Sequence, residues 1–158
     1  MTRPGLFPGS LPLLLAGLVA LGACAKRVPD ADATPPGANP LALDAQLRDV
    51  LDCRSNDCTD WYRVEVTSKG RLVIDLSAEP PEGEDVRLSL SLTDAQGATL
   101  AGDQTAGRTA IAVATEAVPA SYLIAIASNH PTARFDYALT ARLVRSPPPR
   151  AVAPAPKR

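Results

Sequence analysis

A two-residue alternation of apolar and polar side chains recurs along most of this chain and limits the folds open to it. The alternation is most regular from Val86 to Leu92, where arginine and serine occupy the positions between the apolar residues. This period is typical of strands that bury one face and leave the other in solvent. We therefore predict that strands, and not helices, dominate the fold.

Segments of the same kind follow one another, separated by turn sequences that contain glycine, proline, asparagine or aspartate. The predicted strands cover residues 46–51, 61–66, 71–76, 86–92, 98–101, 111–113, 122–126 and 135–143. The first of these also fits a short amphipathic helix, which periodicity alone does not exclude. Ser68-Lys69-Gly70 is predicted to join two strands as a hairpin. Seven or eight short strands predict an all-β fold, an antiparallel, jelly-roll-like β-sandwich over residues 42–145.

The N-terminus has the features of an export signal over residues 1–23. Arg3 supplies a positive charge, and the apolar run 11–20 follows it. That run is too short to span a bilayer as a helix, which takes about 20 apolar residues. We therefore predict that the rest of the chain is exported.

The signal ends in Leu21-Gly22-Ala23-Cys24, which resembles the lipobox of bacterial lipoproteins. The resemblance implies cleavage before Cys24 and acylation of this cysteine by fatty acids such as palmitate. Two or three acyl chains anchor a protein stably where one does not. Ala25 follows, where lipoproteins kept in the inner membrane often have aspartate, so the resemblance favours the outer membrane. The alternative is an ordinary secretory signal with an incidental cysteine.

Two flanking segments rich in proline have no apolar periodicity. Residues 24–41 contain four prolines and are predicted to form an extended tether, and residues 146–158 contain five and are predicted to be disordered. Between them, residues 42–145 have 15 acidic and 10 basic side chains. This negative balance lacks the basic footprint of nucleic-acid binding.

Cys53 and Cys58 lie five positions apart, just before the strand that begins at Trp61. In an exported chain a disulfide between them is the default, and it would fix the course of the chain into that strand. The alternative is a metal bound by two thiolates, but no histidine is near them in sequence.

Acidic residues cluster in two predicted loops. Asp52, Asp57 and Asp60 surround the cysteines, and Glu82, Glu84 and Asp85 form the second cluster. Gathered carboxylates are the oxygen ligands that calcium prefers, although neither cluster has the spacing of an EF-hand loop. Solvated turn residues are the alternative interpretation.

Tryptophan and histidine each occur once in the chain. Trp61 is predicted to face away from the core, where it could contact a sugar or peptide ligand, cover a sheet edge or pack on the disulfide. His130 lies in the predicted turn Asn129-His130-Pro131 and is interpreted as a surface residue. Without a nucleophile-elbow sequence or a metal motif, no catalytic residues are predicted.

The order of these segments resembles the bacterial pre-peptidase C-terminal domain. The resemblance rests on Asp60-Trp61-Tyr62-Arg63-Val64, on the strand from Gly70 to Leu76, and on the tyrosine-led strand Ala120–Ile126. It covers about residues 42–145 and implies a β-sandwich with an accessory role in interaction or export. It also favours a strand over a helix at residues 46–51.

These observations predict a non-catalytic, membrane-anchored envelope lipoprotein that acts as a binding or structural module. An envelope protein or a glycan is the expected partner. The alternative is a calcium-dependent module that binds carbohydrate or peptide through Trp61 and the acidic loop beside it. An enzyme is disfavoured because no constellation of catalytic residues is present.

Overall fold

The alternating segments form nine strands in two sheets in the computed structural model, which describes residues 30–79, 87–106 and 108–145. The strands are β1 (Asn39–Pro40), β2 (Gln46–Asp52), β3 (Thr59–Val66), β4 (Gly70–Glu79), β5 (Leu88–Asp94), β6 (Thr99–Gln104), β7 (Ala110–Ala117), β8 (Ala120–Ser128) and β9 (Arg134–Val144). The order is β1-β3-β8-β5-β6 in a five-stranded sheet and β2-β9-β4-β7 in a four-stranded sheet. The predicted all-β sandwich is confirmed, and residues 46–52 form a strand.

The core lies between the two sheets and consists of the inward residues of each alternation. Leu90 in β5 and Ile124 in β8 come from the five-stranded sheet, and Ile74 in β4 and Leu139 in β9 come from the other. Each is at most 1% exposed. Full burial of such a side chain contributes about 1.5–3 kcal/mol, so the alternation itself drives the two sheets together.

The predicted hairpin at Ser68-Lys69-Gly70 is wrong. β3 pairs with β8 and β1, and β4 pairs with β7 and β9, so this turn carries the chain from one sheet to the other. Periodicity shows that two neighbouring segments are strands but not whether they pair. The choice depends on contacts with β8 and β9, which are far away in sequence.

A hairpin does form between β5 and β6, through the turn Asp94-Ala95-Gln96-Gly97. The Asp94 side chain accepts hydrogen bonds from the backbone N–H groups of Gln96 (3.0 Å) and Ala98 (2.8 Å). Gly97 has a φ of +85°, which glycine adopts without strain. β6 extends to Gln104, three residues beyond the predicted end of this strand at residue 101.

Residues 30–41 are folded against the five-stranded sheet, contrary to the prediction of an extended tether up to residue 41. β1 runs parallel to β3, and the Trp61 N–H donates to the Asp32 carbonyl at 3.0 Å. Leu41 is only 6% exposed. Proline is tolerated here because an edge strand bonds a neighbour on one side only. The domain therefore begins nearer residue 30 than 42.

Several predictions fall outside the described residues. These are the signal sequence, the lipid attachment at Cys24, the acidic loop with Glu82, Glu84 and Asp85, and the segment 146–158. In the ranges that the structure does describe, no helix has both the length and the apolar character needed to cross a membrane.

Candidate functional site

The corner between β2 and β3 joins the two sheets and is closed by the predicted disulfide. Cys53 and Cys58 are bonded, with their Cα atoms 4.5 Å apart. Backbone bonds hold both ends of the corner: the Cys53 N–H donates to the Ala133 carbonyl (3.0 Å) and the Ser128 N–H donates to the Cys58 carbonyl (3.1 Å). The disulfide prediction is confirmed, and its place between the sheets shows why a covalent link at this point matters.

Asp52 is bound by two arginines at the end of β2. Its carboxylate accepts from Arg54 Nε at 2.9 Å and from Arg134 Nη1 at 3.1 Å. The hydrogen bond from the Arg54 side chain is the main reason that the pKa of Asp52 lies below its ordinary value. Asp52 therefore ties the corner to β9 and is already neutralised by protein cations.

Asp60 points into the core, and is only 3% exposed. Its carboxyl group is hydrogen-bonded to the Tyr137 hydroxyl, which in turn contacts the Tyr62 hydroxyl. The Tyr62 hydroxyl also donates to Asp49 Oδ2 at 2.8 Å. A continuous polar chain, Asp49–Tyr62–Tyr137–Asp60, thus runs through the interior and connects β2, β3 and β9.

The number of hydrogens in this chain indicates the charge of Asp60. Three contacts link the four side chains, but the two tyrosine hydroxyls supply only two hydrogens. The third comes from a carboxylic acid, and Asp60 is the more deeply buried of the two. Burial raises the pKa of Asp60 to about 8, and the nearby charges of Asp57 and Asp32 act in the same direction. Burial likewise raises the pKa of both tyrosines.

The predicted calcium ligands do not form a ligand set. Asp52 is paired with two arginines, Asp60 is buried and bonded to Tyr137, and Asp57 Oδ2 lies 3.4 Å from the backbone nitrogen of Asp52. Over residues 30–79, 87–106 and 108–145, no group of three or more histidine, cysteine, aspartate or glutamate side chains is placed to hold a metal ion. The donors at this corner therefore do not fit a calcium ion as they stand.

Trp61 lies on the outer face of the five-stranded sheet, as its position in the alternation predicts. It is half-buried and stands directly opposite Ala125 of β8, and its backbone is bonded to Asp32. The side chain of Asp60, its neighbour in sequence, points to the other side of the sheet. Trp61 and Asp60 therefore do not share a binding surface.

His130 lies in the predicted turn between β8 and β9. Its Nδ1 is 3.2 Å from the Thr132 hydroxyl, and the Ser128 hydroxyl contacts its backbone. These are local bonds that shape the turn. The Ser128 hydroxyl is directed to the backbone of His130 and not to its ring.

The polar chain through the core was missed at the sequence level, although part of it had a signal. Asp60 has the same position in the alternation as Tyr62 and Val64, both of which are buried. This shared position in the alternation places the Asp60 side chain inside the sandwich and not in the acidic loop. Nothing in the sequence indicates that Tyr137, 77 positions away, is its partner.

Comparison with solved structures gives a likeness to a pre-peptidase C-terminal domain. This domain of a collagenase from Bacillus anthracis superposes with a TM-score of 0.54 and 20% identity, covering 66% of this chain and 94% of that one. The protein therefore has the β-sandwich fold of such domains, as the sequence resemblance implied.

Two further structures are less similar. A β-glucosidase from Paenibacillus barengoltzii aligns at 14% identity over 66% of this chain and 11% of that one, with a TM-score of 0.40. A carbohydrate-binding module of Cellvibrio mixtus lichenase 5A, in complex with cellotriose, aligns at 15% identity over 61% of this chain and 87% of that one, with a TM-score of 0.34. No family model matches the chain, and no curated protein matches it.

Proposed function

We propose that the protein is a non-catalytic module of the bacterial cell envelope, held at the outer membrane by acyl chains on Cys24. It serves there as a binding or structural domain. The observation that carries this proposal is that carboxyl groups at the corner between β2 and β3 are bound within the protein. Asp52 pairs with two arginines and Asp60 bonds Tyr137 inside the core, so these carboxyl groups brace the two sheets. A sandwich whose corner carboxyl groups are bound within the protein is suited to presenting its outer surfaces to a partner.

The anchor is tested by replacing the proposed site of acylation. We expect the wild-type protein to sediment with membranes and to enter the detergent phase on Triton X-114 partition. The Cys24→Ala variant is expected to move almost entirely to the aqueous phase, since each buried methylene contributes about 0.8 kcal/mol of membrane affinity. Mass spectrometry of the N-terminal peptide identifies the acyl groups directly.

The matched control removes cysteines elsewhere in the chain. Cys53→Ala/Cys58→Ala takes away the disulfide and is expected to stay with the membrane, because the proposed anchor is intact. If Cys24→Ala remained in the membrane fraction, the lipid anchor would be excluded. The proposal of a non-catalytic envelope module would then rest on the fold alone.

The second candidate function is a calcium-dependent module that binds carbohydrate or peptide near Trp61. It is favoured by the crowding of negative charge at the corner, where burial and contact with Asp30 raise the pKa of Asp32. Because the donors do not fit calcium as they stand, we expect 5 mM calcium (about fivefold above an extracellular calcium Kd of about 1 mM) to leave the melting temperature unchanged relative to EDTA. A clear rise that Asp32→Asn abolished would instead establish a calcium site.

A further inference from the structure

The outer face of the four-stranded sheet contains a groove floored by small side chains. Register pairing aligns Arg48, Ala138, Ser77 and Ala110 in one row across the four strands, and Gln46, Thr140, Asp75 and Ala112 in the next. Two adjoining cavities of about 780 and 370 Å³ lie over these rows and share Gln46, Ser77, Ala110 and Ala138. We call this feature the outer groove. It runs along the strands and is open to solvent.

One end of the outer groove is negatively charged. Glu79 of β4 and Asp136 of β9 stand directly opposite each other there, and both are exposed. Like charges in this arrangement repel. Neither makes an ion pair within the part of the chain that the structure describes. Arg48 also lines the larger cavity on this face, whereas the Asp49 carboxylate points into the interior, so two carboxylates face one cation there.

The cations nearer the middle of the groove are already used. Arg142 is bound to Asp75 at 2.7 Å, and Arg108 is bound to Asp103 at 2.9 Å. The groove therefore offers uncompensated negative charge at the end with Glu79 and Asp136. Its small-residue floor leaves room for an extended chain, so a cationic, extended polypeptide has the complementary chemistry.

We propose that the outer groove binds residues 146–158 of the same chain. β9 ends at Val144, which pairs with Arg71 at the opposite end of this face from Asp136. The segment that follows has Arg150, Lys157 and Arg158 and no acidic residue. A reversal after β9 would lead it back along the groove, with its basic end approaching the uncompensated carboxylates.

The length of the segment fits this path. Its 13 residues reach about 40 Å when extended as polyproline II, at about 3.1 Å per residue. The strand from Asp136 to Val144 spans roughly 27 Å at about 3.4 Å per residue. The segment can thus turn and still bring Lys157 and Arg158 to the acidic end. Attachment to β9 makes the binding intramolecular, so individually weak contacts suffice.

Tryptic cleavage after Arg150 in the intact protein tests the proposal. Binding of the segment in the groove protects this bond, because trypsin cuts only those molecules in which the segment has left the groove. We expect the bond to be cut about tenfold more slowly than in a free synthetic peptide of residues 146–158. Glu79→Lys and Asp136→Lys are each expected to bring the rate to within about twofold of the peptide's, since they replace attraction by repulsion.

Glu65→Lys is the matched control, because it makes the same change of charge on an exposed residue of the other sheet. It is expected to keep the protection. Ala138→Trp fills the groove without changing charge and is expected to remove the protection, and thermal melts of every variant establish that it is folded. Wild-type cleavage as fast as that of the peptide would overturn the proposal. So would equal effects of Glu65→Lys and Asp136→Lys, or protection that disappears on dilution, which would indicate a second copy as the occupant.

Discussion

Raising the pH from 5 to 8 is expected to lower the stability of this protein, and Asp60→Asn is expected to remove most of that loss. The pKa of Asp60 is raised from its ordinary value of 3.8 to about 8 by burial. Between these values the folded protein keeps a proton that the unfolded chain releases. The unfolded state thus binds fewer protons, and the free energy of unfolding falls by up to about 1.4 kcal/mol per pH unit.

Asparagine at position 60 is an appropriate substitute because it is neutral at every pH. It has nearly the volume of aspartic acid, and its amide group both donates and accepts, so it can keep a hydrogen bond with Tyr137. Urea or thermal unfolding at intervals from pH 5 to 9 should show a falling curve for the wild type and a flatter one for Asp60→Asn. The curves should diverge as pH rises, so that the variant is the more stable protein above pH 8.

Asp57→Asn is the control, since it removes a carboxylate from the same corner but outside the core. It is expected to keep most of the slope. Asp52 and Asp103 do not obscure the result, because their pKa values are lowered and their contribution is lost only as the pH falls below about 4. Parallel curves for wild type and Asp60→Asn would show that Asp60 is ionised in the folded protein.

Removing the disulfide is the second change with a large expected effect. Cys53→Ser/Cys58→Ser should lower the free energy of unfolding by about 2 kcal/mol, the low end of the usual range, because the closed loop is short. For a domain of this size the melting temperature should fall by roughly 10 °C. The effect is measured by urea unfolding at pH 6, where Asp60 holds its proton in the folded state.

The reduced wild-type protein should unfold with the double variant, because both lack the same covalent link. Cys24→Ser changes a cysteine outside the described domain and should leave the unfolding curve of the detergent-solubilised protein unchanged. An unfolding curve unaffected by loss of the disulfide would mean that hydrogen bonds from Cys53 and Ser128 are enough to hold the corner.

The fold could be predicted where it depends on residues close together in sequence, and could not be predicted where it depends on contacts between distant segments. Alternation is local, so the strands and their inward faces could be predicted from Leu90 or Ile124 and their neighbours. Pairing is not local, which is why the connection between β3 and β4 was predicted as a hairpin. The folding of residues 30–41 on β3 was equally hidden, since the contact between Asp32 and Trp61 joins a proline-rich segment to a distant strand.

The candidate site divides in the same way. The disulfide could be predicted because two cysteines close together in an exported chain usually form one. The role of Asp60 could not be predicted from the sequence. Its position beside the loop cysteines and other carboxylates favoured its assignment to a solvated acidic loop. The structure places Asp60 inside instead, where its hydrogen bond with Tyr137 makes burial tolerable.

The folded segment that begins at Asp30 shortens the tether that the proposed lipid anchor would have. With acyl chains on Cys24, the backbone between the lipid and the fold reaches at most about 20 Å, whereas a tether up to residue 41 would have reached about 60 Å. The proposed anchor on Cys24 would therefore keep the domain close to the bilayer. A lipoprotein of this kind would meet partners at the membrane surface and could not reach those far above it.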